Sequence, residues 1–93
     1  MAGKKLNSCM KKYLNSKESN VLLEMLYQLR TATGMKQSDL AKRLKINQSF
    51  ISKIENGERR IDIFELRSIL ACYGTNLKEF VVELERRIND TKK

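Results

Sequence analysis

The sequence predicts an all-α domain, and three observations lead to that prediction. Proline is absent from the chain, and the alternation of apolar and polar residues that is typical of strands is missing. Apolar residues instead recur at the three- and four-residue spacing of amphipathic helices. Gly34, Gly57 and Gly74 follow such segments, where a residue in the left-handed conformation ends a helix at little cost. A length of 93 residues allows one small domain.

The chain begins with a basic segment, residues 1–16, which we predict to be an arm or a short extra helix. Residues 1–17 carry five lysines and no acid. Apolar residues stand between these lysines at helical spacing, namely Leu6, Cys9, Met10, Tyr13 and Leu14. The arm could follow DNA or act as a solubilising tail, and the sequence leaves both interpretations open. Ser16 is placed to cap the helix that follows.

The first two helices of the domain are predicted at residues 17–33 and 37–44. Leucine and methionine side chains occupy one face of the first helix. The shorter second helix has three residues that we expect in the core, Leu40, Ala41 and Leu44. Lys36 stands where its capping residue is expected. Because an ammonium group cannot accept a hydrogen bond, Ser38 or Asp39 is expected to support this helix start instead.

The third helix is predicted at residues 47–56, with Asn47 as its cap and Gly57 after its end. Ile51 and Ile54 lie three positions apart and are expected to point into the core. Its opposite face is polar and consists of Gln48, Ser49, Ser52, Lys53 and Asn56.

The last two helices complete a domain that we predict over residues 17–88. Asp62 caps the first of them, which ends at Gly74, and Thr75 or Asn76 caps the second. Both helices turn apolar residues toward the core, and these are Leu66, Ile69, Leu70, Tyr73, Leu77, Phe80 and Leu84. Residues 89–93 are expected to fray.

Positive charge is concentrated in two parts of the chain. The net charge is +8. Residues 1–17 carry +5, residues 18–35 carry −1, residues 36–60 carry +4, and residues 61–93 are neutral. This distribution suits a protein that sets one face against phosphate groups. Because a basic run also occurs on surfaces that are merely solvated, charge alone does not establish DNA binding.

The composition argues against an enzyme, a metal site and a membrane span. Histidine is absent, which removes the commonest general base and the commonest zinc ligand, and no glycine-rich phosphate loop occurs. No apolar run approaches the roughly 20 residues of a membrane helix, and the N-terminus lacks the apolar stretch of a secretory signal. Cys9 and Cys72 match no metal or redox spacing. We therefore predict no cofactor and a cytoplasmic protein with reduced thiols, with a disulfide between these cysteines as the alternative.

The segment 37–57 carries the sequence QSDLAKRLKINQSFISKIENG, which predicts two short helices joined by a tight turn. Such a turn lets one helix lie in the major groove of DNA while the other crosses the backbone. This segment resembles the helix-turn-helix of the phage repressor and Cro family, the XRE-type domain of bacterial regulators. The resemblance covers roughly residues 22–84. Its markers are Gln37, Leu40-Ala41, Leu44, Asn47-Gln48-Ser49, Ile51-Ser52, Ile54-Glu55-Asn56-Gly57, Leu66, Leu70 and Gly74.

The resemblance implies a lambda-repressor-like bundle of five helices that binds double-stranded DNA. Gln48, Ser49 and Lys53 would contact base edges, since glutamine can bond adenine bidentately and serine can bond several bases. The DNA backbone would be contacted by Gln37, Lys45, Ser52, Asn56, Arg59 and Arg60. Arg30 and Glu55 would form a structural ion pair.

Some positions depart from the family or keep two interpretations open. Lys45 stands where the family commonly has glycine, and a left-handed conformation would cost a non-glycine residue roughly 1 kcal/mol. Phe50 could contact a thymine methyl group or fold back onto the bundle. Lys53 could reach a guanine or a phosphate, and Gln37 could also support Gln48.

These observations predict a sequence-specific transcriptional regulator, most simply a dimeric repressor or autoregulator that reads a palindromic operator. The last helix has more apolar residues than its core stripe needs, and a dimer contact is predicted at Val81, Val82 and Ile88. Leu6, Met10 and Tyr13 could extend it.

Restriction–modification controllers, prophage regulators and antitoxins all resemble this size and layout. The alternative function is an antitoxin that neutralises a partner toxin and autoregulates its operon.

Overall fold

The computed structural model describes the backbone of residues 16–91 and the side chains of residues 16–90. This part of the chain forms five helices and no strand, as the sequence predicts. The predicted contacts of the arm, and Cys9 with its alternative disulfide, lie outside the described residues. The helices are α1 (Lys17–Ala32), α2 (Gln37–Leu44), α3 (Gln48–Glu55), α4 (Ile63–Cys72) and α5 (Leu77–Thr91).

Side chains that accept hydrogen bonds begin three of the helices. The hydroxyl of Ser16 accepts from the Ser19 N–H at 3.1 Å before α1. Asp62 caps α4, and the amide oxygen of Asn76 accepts from the Glu79 N–H at 2.9 Å in the first turn of α5. The sequence therefore identifies the caps correctly, and the structure selects Asn76 from the two residues considered for α5.

The starts of α2 and α3 are organised differently. The backbone N–H of Lys36 donates to the carboxylate of Asp39 at 2.9 Å, so Asp39 supports this end of α2, as one of the two predicted residues. Asn47 has the extended backbone of a capping residue, but its side chain accepts no capping hydrogen bond. The predicted N-cap position of Asn47 is therefore confirmed, whereas the side-chain hydrogen bond expected of a capping asparagine is not made. An exposed helix start can do without one because water can bind its free N–H groups.

The final helix is longer than predicted. It continues to Thr91, so residues 89–91, which were expected to fray, are helical. Arg86 donates to Glu83 at 2.7 Å and to Asp90 at 2.9 Å on the same helix. Ion pairs three and four residues apart stabilise a helix by a few tenths of a kcal/mol each, and these support the last turns.

The five helices enclose one apolar core. α1 contacts α3 and α5, α2 contacts α3 and α4, and α4 contacts α5. No polar or charged residue of the described chain is buried, and full burial of each large apolar side chain contributes about 1.5–3 kcal/mol. The core consists of Met25, Leu26, Leu40, Ala41, Ile51, Ile54, Leu66, Ile69, Leu70, Tyr73 and Phe80.

Candidate nucleic-acid interface

α2 and α3 are joined by a tight turn over residues 45–47. Lys45 adopts the left-handed conformation with φ of 58°, and the Ile46 N–H donates to the carbonyl of Ala41 at 3.0 Å. This is how a glycine commonly closes a helix, so the turn keeps the expected backbone although lysine replaces glycine. The left-handed lysine costs about 1 kcal/mol and leaves an exposed cation at the turn.

The two faces of α3 differ as the sequence predicts. Ile51 and Ile54 are only 1% and 2% exposed and fix the helix to the core. Ser52, at the side of the helix, is half-buried. On the polar face of α3, the residues exposed to solvent are Gln48, Ser49 and Lys53. Asn56, just after the end of the helix, is also exposed. The structure therefore presents the predicted base-reading residues together on one surface.

A hydrogen-bonded network joins α1, α2 and α3 beside that surface. Arg30 donates through Nε and Nη2 to the carboxylate of Glu55 at 2.7 and 3.0 Å, and through Nη1 to the carbonyl of Met35 at 2.9 Å. The arginine and glutamate side chains are 11% and 9% exposed, and the hydrogen bond to Glu55 raises the pKa of Arg30. The predicted structural ion pair is therefore confirmed.

Gln37 belongs to the same network. Its amide nitrogen donates to Oε1 of Glu55 at 2.9 Å, so the side chain supports Glu55 and not Gln48, which was the further role suggested by the sequence. The amide oxygen and the backbone N–H of Gln37 make no contact with Glu55. This N–H lies in the first turn of α2, where no carbonyl of the helix can accept a hydrogen bond from it. A phosphate at this position would be bound by the backbone and not by the side-chain nitrogen.

Gly57 ends α3 and allows the helix to approach α1. Its φ is 77°, a conformation that other residues rarely adopt. A Cβ atom at this position would lie 3.3 Å from Cδ1 of Leu23, which is tight. The turn that follows α3 is therefore set both by backbone conformation and by packing.

Phe50, Arg59 and Glu65 form a second cluster at the opposite side of α3. The Arg59 guanidinium lies 3.9 Å from the centre of the Phe50 ring, and donates two hydrogen bonds of 3.1 Å to the carboxylate of Glu65. These hydrogen bonds lower the pKa of Glu65. Phe50 is half-buried and packs against the core, which confirms that it folds back onto the bundle.

A depression of about 420 Å³ lies beside the start of α3. It brings together two predicted base contacts, Ser49 and Lys53, and one predicted backbone contact, Arg59. The remaining predicted residues do not line it. Asn47 also lines it and was missed as a candidate, because its sequence position indicated a helix cap. The complete lining is Ile46, Asn47, Ser49, Phe50, Lys53 and Arg59.

Other kinds of site are not seen in the described residues. Residues 16–91 hold no group of three or more side chains that could bind a metal ion. Within the same range, no helix has the length and apolar character needed to cross a bilayer.

Comparison with known proteins identifies the family. A family model described as helix-turn-helix matches residues 26–80. The control protein C.MunI of Mycoplasma sp is 30% identical over 54 residues, which cover 58% of this chain and 73% of that protein.

Solved structures agree with this assignment. An XRE-family like protein from Pseudomonas syringae pv. tomato str. DC3000 superposes with a TM-score of 0.75 at 36% identity, covering 84% of this chain and 95% of that one. The wild-type restriction-modification controller protein C.Esp1396I gives a TM-score of 0.71 at 25% identity, with coverage of 82% and 99%. The chain belongs to the XRE-type helix-turn-helix family and is a DNA-binding transcriptional regulator, not an enzyme.

Proposed function

We propose that the protein is a dimeric repressor or autoregulator that reads a palindromic operator through α3 in the major groove. The observation that carries this proposal is the absence of acid from the exposed face of α3. Glu55 is the single carboxylate of the helix, and it is directed at Arg30. Gln48, Ser49 and Lys53 can therefore approach base edges without repulsion between a carboxylate and the phosphates.

The residues around α3 would hold the DNA backbone. Lys45, in the turn between α2 and α3, and Arg60, in the loop after α3, are exposed cations, and Gln37 offers its backbone N–H at the start of α2. Arg59, which is already paired with Glu65, is the exception among the predicted contacts. The proposed backbone contacts are Gln37, Lys45, Ser52, Asn56 and Arg60.

The names of two relatives suggest the biological setting. C.MunI is named a control protein, and C.Esp1396I is named a restriction-modification controller protein. Their similarity to this chain supports a role in controlling a restriction–modification system, in the cytoplasm where the DNA lies. The antitoxin alternative has no comparable support, since none of the three relatives described above bears that name.

Selection of bound sequences from a random DNA pool tests the proposed function. We expect enrichment of two inverted half-sites whose centres lie about 34 Å apart, or a multiple of that distance. Recovery of no common sequence would contradict sequence-specific binding, and recovery of a single half-site would contradict the dimeric arrangement.

Replacement of Gln48 by alanine tests the base-reading role directly. The variant should lose preference at one base-pair position, with specific affinity weakened by about 1–3 kcal/mol, while binding to unrelated DNA stays nearly unchanged. Fluorescence anisotropy with operator and unrelated duplexes measures both affinities. Asn20→Ala is the control, since it removes an exposed amide side chain from α1. An equal loss of affinity for all sequences in the Gln48 variant would refute the role.

A further inference from the structure

We propose that Arg59 is a positioning residue for the recognition helix and does not bind a phosphate. This inference rests on the proposed reading of DNA by α3. The face of the guanidinium stacks on the ring of Phe50 in α3, and its edge forms an ion pair with Glu65 of α4. It thereby fixes the angle at which Ser49 and Lys53, on either side of Phe50, meet the DNA.

The hydrogen bonds of Arg59 leave little of its guanidinium for DNA. Nη1 donates to the Arg60 carbonyl at 2.6 Å and to Glu65 at 3.1 Å, and Nη2 donates to the second oxygen of Glu65 at 3.1 Å. Three of the five N–H groups of an arginine are thus engaged. To bind a phosphate, Arg59 would have to break at least part of its hydrogen bonding with Glu65. Such a bidentate pair of arginine and carboxylate is already among the stronger hydrogen-bonded arrangements.

The stacking of Arg59 on Phe50 restrains the position of α3. Arginine is suited to this position because its planar group can stack on a ring while its edge binds a carboxylate. Phe50 is half-buried and packs against the core, so the stack covers the solvent side of a ring that α3 contributes. Movement of Phe50 would carry its neighbour Ser49 with it.

Glu65 anchors the other side of the stack. Its carboxylate accepts from the Asp62 N–H at 3.0 Å, and the Asp62 carboxylate accepts from the Glu65 N–H at 2.8 Å. Glu65 is therefore held by the first turn of α4, which is part of the core-forming bundle. A continuous set of contacts leads from α4 through Arg59 to the reading surface of α3.

The neighbouring residue, Arg60, provides a contrast within the same loop. Its side chain is exposed and makes no hydrogen bond or ion pair with other described residues. We assign the phosphate contact of this loop to Arg60 alone. The two arginines should therefore differ in two quantities, namely the salt dependence of DNA binding and the ratio of operator affinity to unrelated-DNA affinity.

The experiment measures both quantities for Arg59→Gln and Arg60→Gln. Loss of a phosphate contact lowers the slope of log affinity against log salt by about 0.9. Arg60→Gln should show this loss and keep the affinity ratio. Arg59→Gln should keep the slope but lower the ratio by about five- to tenfold, as expected from the loss of a partly exposed stack and ion pair.

Three further variants separate positioning from charge. Arg59→Lys keeps the charge but loses the planar stack, so its affinity ratio should fall as in Arg59→Gln, whereas Phe50→Tyr keeps the ring and should retain the wild-type ratio. Glu65→Gln keeps the capping interaction with Asp62, since glutamine also serves there. If Arg59 positions α3, Glu65→Gln lowers the ratio. If Arg59 is a phosphate ligand restrained by Glu65, the same change strengthens binding without lowering the ratio.

All variants are compared at a temperature where circular dichroism shows them folded. Should Arg59→Gln not fold, Arg59→Lys and Glu65→Gln decide the question. A slope lowered by about 0.9 in Arg59→Gln, or an unchanged ratio in Arg59→Lys, overturns the positioning role. A wild-type protein that binds operator and unrelated DNA equally would overturn the proposed function instead.

Discussion

At the scale of residues, a single carboxylate, that of Glu55, joins three helices. It accepts hydrogen bonds from Arg30 of α1 and Gln37 of α2. Only 11% of the Arg30 side chain and 9% of the Glu55 side chain are exposed to solvent. Desolvation of a charge is costly unless the partner is present, so the pair specifies how the helices meet and makes either residue difficult to replace.

Replacement of Glu55 by glutamine should destabilise the domain by about 3 kcal/mol, because it leaves the charge of Arg30, whose side chain is 11% exposed, without a counter-charge. Urea unfolding followed by circular dichroism measures the change. Glu58→Gln is the control, since Glu58 is exposed in the following loop and surface substitutions usually change stability by less than about 0.5 kcal/mol. Similar unfolding midpoints for the two variants would show that the pair does not stabilise the fold.

At the scale of elements, Glu83 organises the exposed side of α5. It accepts hydrogen bonds from Nε of Arg87 at 2.7 Å and from Arg86 at 2.7 and 3.0 Å. Nη1 of Arg87 in turn donates to Gln28 of α1 at 3.0 Å. The hydrogen bonds from Arg86, followed by those from Arg87, lower the pKa of Glu83 to about 2.

This lowered pKa predicts a loss of stability in acid. A carboxylate with a folded pKa of about 2 and an unfolded pKa near 4.3 contributes stability above the unfolded value and loses it as pH falls toward the folded value. The melting temperature of the wild-type protein should therefore fall more steeply between about pH 4.5 and pH 2 than that of Glu83→Gln.

The control for this effect is Glu85→Gln, which removes an exposed carboxylate from the same helix and should leave the acid transition steeper than in the Glu83 variant. Because the Glu83 side chain is 37% exposed to solvent, the difference should be small and should shrink at about 1 M salt, where charges are screened within about 3 Å. Parallel melting curves for wild type and Glu83→Gln would rule out the contribution.

Most helix boundaries were predictable because their signals are local. The period of apolar residues marks the buried face, and Gly34, Gly57 and Gly74 all have the positive φ expected at helix ends. Asn47 occupies the N-cap position, but its side chain makes no capping hydrogen bond, because residue type indicates a capacity to accept a hydrogen bond and not its use. The length of α5 was underestimated because its last turns are supported by side-chain pairs, which the apolar pattern does not reveal.

The candidate site was predictable to a lesser extent. The exposed set on α3 follows from two isoleucines three positions apart, and the Arg30–Glu55 pair followed from the family resemblance. Arg59 was not predictable in this way. A basic residue after the proposed DNA-binding helix suggests a phosphate contact, but the sequence does not show in which direction its side chain points. Its partner Glu65 could be recognised as part of a capping box with Asp62, but its contact with Arg59 depends on how the loop returns across α3.

At the scale of the whole molecule, the last third of the sequence combines neutral charge with exposed apolar side chains. Residues 36–60 carry +4, whereas residues 61–93 are neutral. Val81 and Val82 on α5 are 40% and 65% exposed, and Phe64 on α4 is also exposed. Exposed valines on a helix outside the basic segment are suited to association with a second copy, which would leave both proposed DNA-binding helices free for DNA.

Replacement of Val82 by glutamate should therefore weaken dimerisation, because it would place an unpaired charge in the contact. Sedimentation over a range of concentrations should show the wild-type mass rising toward that of two chains, while the variant stays monomeric. Tyr27→Glu introduces the same charge at another exposed apolar position, on α1, and should behave like the wild type. A wild-type mass that stays at one chain at all concentrations would contradict the proposed dimer.

The contact between Gln28 and Arg87 spans 59 residues of sequence and joins the first described helix to the last. α1 also packs against α3, so α1 connects the proposed DNA-binding helix with α5. The segment 37–57 is therefore supported by helices that lie outside it in the sequence. We expect that loss of the contacts between α1 and α5 would weaken the support of α3 and, with it, the proposed binding of the operator.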